Sequence, residues 1–172
     1  VYKRQHHFAM TEDEIAGDDA NYKMNPPLRS AADVEALVDG LADGTMEAIS
    51  TDHAPHGEEE KKQSIAKAPF GIVGSETAYA LSVTHLVKTG KLTPLQLVEK
   101  MSTNPCRILS VPGGTLSVGA PADITIADMD SEYVIDKNTF LSKGKNTPFD
   151  GAKVNGRVYY TIVGGNIVYQ YE

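Results

Sequence analysis

The tripeptide Pro112-Gly113-Gly114 most limits what this chain can fold into, because the residues on its two sides follow different periodicities. Upstream, Val34, Leu37, Val38 and Leu41 fall at i, i+3, i+4 and i+7, one apolar stripe of a helix. Ser30 stands at the N-cap position with Asp33 at N3, where an acid suits the positive helix end, and Gly44 closes the segment. Tyr79, Val83, Leu86 and Val87 predict a second helix that closes at Gly90. Thr93-Pro94-Leu95-Gln96 is a capping box with proline in the first turn, opening a third helix through Leu97, Val98 and Met101. Asn104-Pro105 starts a short fourth, through Leu109. Met46 to Thr51 fits a buried strand, residues 8–29 carry turn formers throughout, and the charged run Glu58 to Lys62 reads as a solvated segment. Downstream, Ile124 and Ile126, Tyr133 and Ile135, and Val158, Tyr160 and Ile162 alternate with other residues as strands do. Gly164-Gly165 then predicts a tight hairpin returning through Ile167, Tyr169 and Tyr171. The chain therefore divides into a strand-and-helix part, residues 1–110, and a small β part, residues 111–172.

Composition removes several classes of function. With 16 basic and 23 acidic side chains the 172 residues carry a formal charge of −7 and no Lys/Arg cluster, which disfavours nucleic acid or an anionic membrane as partner. No apolar run approaches the roughly 18 residues a membrane span needs, and no secretory leader is visible. The lone Cys106 excludes a disulfide framework, fits a reducing cytoplasm and reads as a small packed residue. The first residue is Val1 rather than methionine, and Val1 to Gln5 are more charged than the residues just after them; a truncation scar is the expectation, against the alternative of an ordinary polar strand end.

The densest chemistry is Thr51-Asp52-His53-Ala54-Pro55-His56. A strand ending in an acid, two histidines and a rigid turn puts polar groups at a strand's C-terminal edge, where α/β barrels build active sites. A carboxylate there can ligate a metal and exchange a proton with its water; the bland alternative is a surface loop with incidental histidines. In Lys23-Met24-Asn25-Pro26-Pro27-Leu28-Arg29 two prolines stiffen a loop that presents the Asn25 amide, or it is simply a turn. In Pro69-Phe70-Gly71-Ile72-Val73-Gly74 glycine lets backbone approach a ligand, or the segment only leads into a helix. His6 and His7, if on a strand, would point to opposite faces and make poor joint metal ligands; His85 reads as structural. Dinucleotide, Walker A, nucleophile-elbow and H-E-x-x-H motifs are missing.

Together the blocks YKMNPPLRS, STDHAPH, PFGIVGSETA, GTLSVGAPADITIAD and NTPFDGAKVNGRVYYTIVGG resemble, in order, the C-terminal half of the dihydroorotase family of the amidohydrolase superfamily. That resemblance implies an α/β fold: the C-terminal remnant of a (β/α)8 barrel, with a small β-sandwich part contributed by residues 111–172. A whole barrel takes about 250 residues, more than this chain has. By the same resemblance His6 to Phe8 end the seventh strand, Met46 to Thr51 form the eighth, and Glu76 to Lys88 the last barrel helix. Arg4-Gln5 stand where the family reads Thr-Pro.

The implied activity is zinc-dependent, reversible hydrolysis of dihydroorotate to N-carbamoyl-L-aspartate in pyrimidine synthesis, with two zinc ions in the complete enzyme. Asp52 resembles the family's metal ligand and proton carrier, His56 the residue that binds the substrate carboxylate, Asn25 a ring contact, and Phe70 and Gly71 backbone contacts to substrate. The family's remaining zinc ligands and its early arginine and asparagine have no counterpart here, so the 172 residues alone are expected to be inactive. An anionic substrate entering an acidic protein has to be drawn by local cations: zinc, His56 and that arginine. The Glu58 to Ile65 loop is a candidate cover for the site. The implied partners are a second copy of the chain or aspartate carbamoyltransferase. Two other readings are a related cyclic amidohydrolase, such as allantoinase or dihydropyrimidinase/hydantoinase, and a non-catalytic dihydroorotase-like subunit. Retention of Asp52, His56 and Asn25 argues against the latter.

Overall fold

The computed structural model describes residues 2–171; Val1, the first of the residues read as a truncation scar, lies outside them. Tyr2–Arg4 (β1) and Ala48–Ser50 (β2) pair in parallel, Tyr2 opposite Ala48 and Arg4 opposite Ser50. Parallel neighbours need a crossover rather than a tight turn. Here it includes His6–Ala9 (α1), a long irregular stretch, and Ala31–Ala42 (α2). α2 begins where its cap dictates. The Ser30 hydroxyl accepts from the Asp33 N–H at 3.3 Å, and the Asp33 carboxylate accepts in return from the Ser30 N–H at 3.3 Å. Leu37, Val38 and Leu41 bury its apolar stripe.

The first part departs from expectation at two places. His6, His7 and Phe8 do not end a strand. Gln5 N–H still bonds the Ser50 carbonyl at 3.2 Å, but the Gln5 backbone is already helical (φ −56°, ψ −36°), so β1 stops at Arg4 and the histidines form one buried helical turn. The charged run is not wholly solvated either: Glu58–Lys61 (α3) is helical and Lys61 is buried. Beyond it, Ala78–Ser82 (α4) continues as a π-helical stretch through Val83–Val87, covering the predicted apolar face. Pro94–Val98 (α5), with the expected Thr93 cap, runs through a similar stretch, Glu99–Thr103, into Asn104–Leu109 (α6), where Cys106 is half-buried.

In the second part Ile124–Val134 (β3), Lys153–Val163 (β4) and Asn166–Gln170 (β5) form one antiparallel sheet in sequence order. Gly164 and Gly165 turn the hairpin with φ of +55° and +81°, the left-handed pair the turn requires. The sheet is a single layer among the described residues, and Ile126, Val134, Val163 and Ile167 on it remain exposed.

The two parts share one core. Leu41, Ile72, Leu81, Leu86 and Leu97 from the first pack in the same cluster as Ile135, Phe149 and Val154 from the second. Each such side chain contributes roughly 1.5–3 kcal/mol on burial, so neither part sheds the other without loss. The junction is tight at Gly156 of β4, where φ is +98° and an added Cβ would stand 2.9 Å from Val83 Cβ. Beside it the Asn155 N–H donates to the Thr84 hydroxyl at 2.8 Å. Gly156→Ala is expected to destabilise the protein by about 1–3 kcal/mol through strain and overpacking. An unchanged urea midpoint would show that the sheet is not seated on this helix.

Candidate active site

β1 and β2 end side by side, and the loops that leave this edge carry the residues singled out from the sequence. Asp52 follows β2 with φ +48°, an uncommon conformation for a residue with a side chain but one that aspartate tolerates. Its Oδ2 lies 3.1 Å from Nε of Arg4, the last residue of β1. The same guanidinium donates to the Asn25 carbonyl, so one cation joins the carboxylate to the proline-stiffened loop. His7 Nε2 lies 2.9 Å from the Pro26 carbonyl and steadies the other side of that loop.

His53 is a structural tie. Its Nδ1 accepts from the N–H groups of Gly74 and Ser75 at 3.1 and 3.3 Å, and its backbone bridges Ile72 in parallel. His56, past Pro55, faces differently. Its Nε2 lies 2.9 Å from the Phe70 carbonyl; a carbonyl only accepts, so Nε2 carries the proton. Its Nδ1 is 3.7 Å from Glu60 Oε2. Phe70 itself is 56% exposed, with the Lys23 ammonium 4.6 Å from its ring centre.

Gly71 closes the arrangement. Its N–H donates to the Lys23 carbonyl at 2.9 Å, joining the loop that carries Asn25. Its φ of +113° requires glycine, and an added Cβ would meet the Ala54 Cβ at 2.5 Å. Its carbonyl accepts from Lys61 Nζ at 3.0 Å and Asn146 Nδ2 at 3.1 Å. Lys61 also donates to the Pro69 carbonyl at 3.1 Å, and burial holds its pKa below the usual lysine range. Asp52, Asn25, His56, Phe70 and Gly71 thus lie on three loops tied to one another at one edge of the strand pair.

The fit to a metal is a separate matter. Among the described residues no group of three or more His, Cys, Asp or Glu could hold an ion, and the Asp52 carboxylate is paired with Arg4. These residues do not by themselves form a zinc centre.

The sequence profile of the amidohydrolase family matches residues 9–168. The chain belongs to the amidohydrolase family. It is 56% identical over 165 residues to a dihydroorotase of Bacillus licheniformis and 53% identical to one of Bacillus subtilis; both alignments cover 96% of this chain. The chain spans 39% of the length of each of these relatives. Among solved structures, an L-hydantoinase (dihydropyrimidinase) from Arthrobacter aurescens superposes with a TM-score of 0.89 at 32% identity, over 98% of this chain and 39% of that one. A D-hydantoinase from a Thermus species gives 0.88 at 28% identity, with the same coverage. The mixed α/β architecture is therefore the amidohydrolase fold over nearly the whole chain.

Three residues at the candidate site are not marked by the sequence. Arg4 stands among the odd first residues, and nothing in its sequence surroundings signals the ion pair. Lys61 hides in a run of charges; its burial depends on the Pro69–Gly71 loop folding over it. Asn146 lies in a block that carries the family resemblance, yet a lone asparagine in a loop has no periodicity to mark it. Lys61→Met is expected to cost about 1–3 kcal/mol, because two carbonyls lose their shared donor inside the protein. Chemical denaturation checks this, and a stability equal to the parent's would mean that water serves both carbonyls.

Proposed function

We propose that this chain supplies the C-terminal part of a dihydroorotase, which interconverts dihydroorotate and N-carbamoyl-L-aspartate in pyrimidine synthesis in the cytoplasm. The observation that carries the reading is the meeting of Asp52, His56, Asn25 and Phe70–Gly71 at one strand edge. The identity of 56% to a dihydroorotase, against 32% to a hydantoinase, supports that substrate over a hydantoin. In this reading residues 1–110 belong to a (β/α)8 barrel and residues 111–172 to a β-sandwich, whose further strands would cover the exposed apolar residues of β3 to β5.

Zinc is the cofactor that the resemblance implies, and Asp52 is the one ligand this chain would offer. The chain's own groups divide the remaining work. The Asp52 carboxylate takes a proton from the attacking water and returns it to the departing ring nitrogen; to do so it gives up Arg4. The His56 Nε2–H, now on a neutral carbonyl, gains by turning to a substrate carboxylate, since a hydrogen bond to a charged group is worth about 1.5–3 kcal/mol. The Asn25 amide and the Phe70–Gly71 backbone meet the ring.

The test is a chimaera in which His6 to Gln170 replace the corresponding part of the B. licheniformis dihydroorotase. It is expected to turn over dihydroorotate, and preference for a hydantoin instead would sink this choice of substrate. Asp52→Asn in the chimaera is expected to lower kcat by about 10²–10⁴-fold, because an amide cannot take the proton. A rate within tenfold of the parent's would remove Asp52 as the base. His56→Ala is expected to raise KM and lower kcat/KM by roughly 10–100-fold with zinc content unchanged. Loss of zinc would make His56 a ligand, and unchanged kinetics would make it a bystander.

A further inference from the structure

We propose that Asn146, from the second part of the chain, is the positioning residue that sets His56 and the Phe70–Gly71 backbone against each other. The inference rests on the proposed reading of the site, because it concerns how that site is held. Asn146 is 6% exposed and uses its amide in both directions. Nδ2 donates to the Ala54 carbonyl at 3.0 Å and to the Gly71 carbonyl at 3.1 Å, while Oδ1 accepts from the His56 N–H at 2.9 Å. Its own carbonyl accepts from the Val73 N–H at 2.9 Å. One side chain thus bonds the residues on both sides of Pro55 and the glycine of the facing loop. Only a carboxamide can give two hydrogen bonds and take one from so small a volume. Backbone packing adds to the constraint: a Cβ on Gly144 would fall 2.8 Å from the His56 nitrogen and 2.8 Å from Pro55 Cβ, so the 144–146 segment lies directly against the histidine loop.

The contact explains why the His56 ring meets the Phe70 carbonyl. His56 and Phe70 leave different loops, and the strand ends do not fix their separation. With Ala54 and Gly71 held on one amide nitrogen, the ring and the carbonyl fall at 2.9 Å. Asn146→Asp separates this role from packing. The carboxylate has the same shape and still accepts from His56, but it cannot donate and sets a negative charge beside two carbonyls.

The experiment is NMR on the chain itself. In the unsubstituted protein, scalar couplings across the hydrogen bonds from Asn146 Nδ2 to the Ala54 and Gly71 carbonyls are expected; their absence in the folded protein overturns the proposal whatever the variant does. In Asn146→Asp the imidazole ¹⁵N shifts of His56 are expected to leave the Nε2–H tautomer. Amide exchange at Ala54 and Gly71 is expected to rise by about tenfold or more, with Leu81 and Leu86 in the α4 segment unchanged. Unmoved His56 shifts overturn it. So does a uniform rise that includes Leu81 and Leu86, which would report lost stability alone. None of these readouts uses dihydroorotate. A chimaera that binds no dihydroorotate while these couplings and shifts behave as stated would remove the substrate reading and leave the positioning role standing.

Discussion

A buried carbonyl must find a donor, and in this protein the demands of one such group, that of Gly71, hold the site together. Leaving it unpaired would cost about 1–3 kcal/mol. The chain answers with two donors from distant points in the sequence, Lys61 and Asn146. Each draws in further groups: Lys61 brings the Pro69 carbonyl, and Asn146 brings Ala54 and His56. The Gly71 N–H, on the other side of the residue, fixes the loop that carries Asn25. The positive φ that makes all of this reachable is open only to glycine at this closeness to Ala54.

Local rules predicted local structure well. The Ser30 and Thr93 caps, the stripe of α2, the apolar face of the α4 segment and the Gly164-Gly165 hairpin all formed where short-range pattern placed them, since each depends on neighbours within a few residues. The residues singled out as candidates, an acid, histidines, prolines and glycine around a strand end, also came together on three tied loops. What could not be read are the ties between loops. Lys61 to Gly71 spans 10 residues and Asn146 to Ala54 spans 92, and no periodicity encodes such pairs. The end of β1 was misplaced for a related reason: whether His6 continues a strand or starts a helix depends on where its pairing with β2 stops.

Arg4 is the most instructive of the unforeseen residues. The Asp52 carboxylate at the strand edge meets a counter-charge in the Arg4 guanidinium, which also joins the Asn25 loop. The pair is partly open to water, with side chains 25% and 30% exposed, so screening keeps its contribution small. It can be exchanged for another cation at little cost. For the proton-carrying role proposed for Asp52, a weak, solvent-accessible ion pair would suit a change of partners better than one sealed in the core.

In the proposed reading, local charge would also govern how an anionic substrate reaches a chain of charge −7. Net charge acts over distances that salt screens beyond about 8–10 Å, so the charges beside the site decide. A cavity of about 330 Å³ next to His56 is lined by five lysines, Lys61, Lys62, Lys137, Lys143 and Lys145, and one acid, Glu58. Lys62 and Lys137 are matched by Glu58 and Asp150, and Lys61 is committed to carbonyls. Lys143 is exposed and Lys145 bonds the neutral Phe140 carbonyl, and neither forms an ion pair among the described residues. In that reading the attraction expected of zinc, His56 and an arginine would have two further sources. Both belong to the 137–146 region of the second part, whose Asn146 holds the site loops, so the β part contributes charge as well as geometry to the strand edge it packs against.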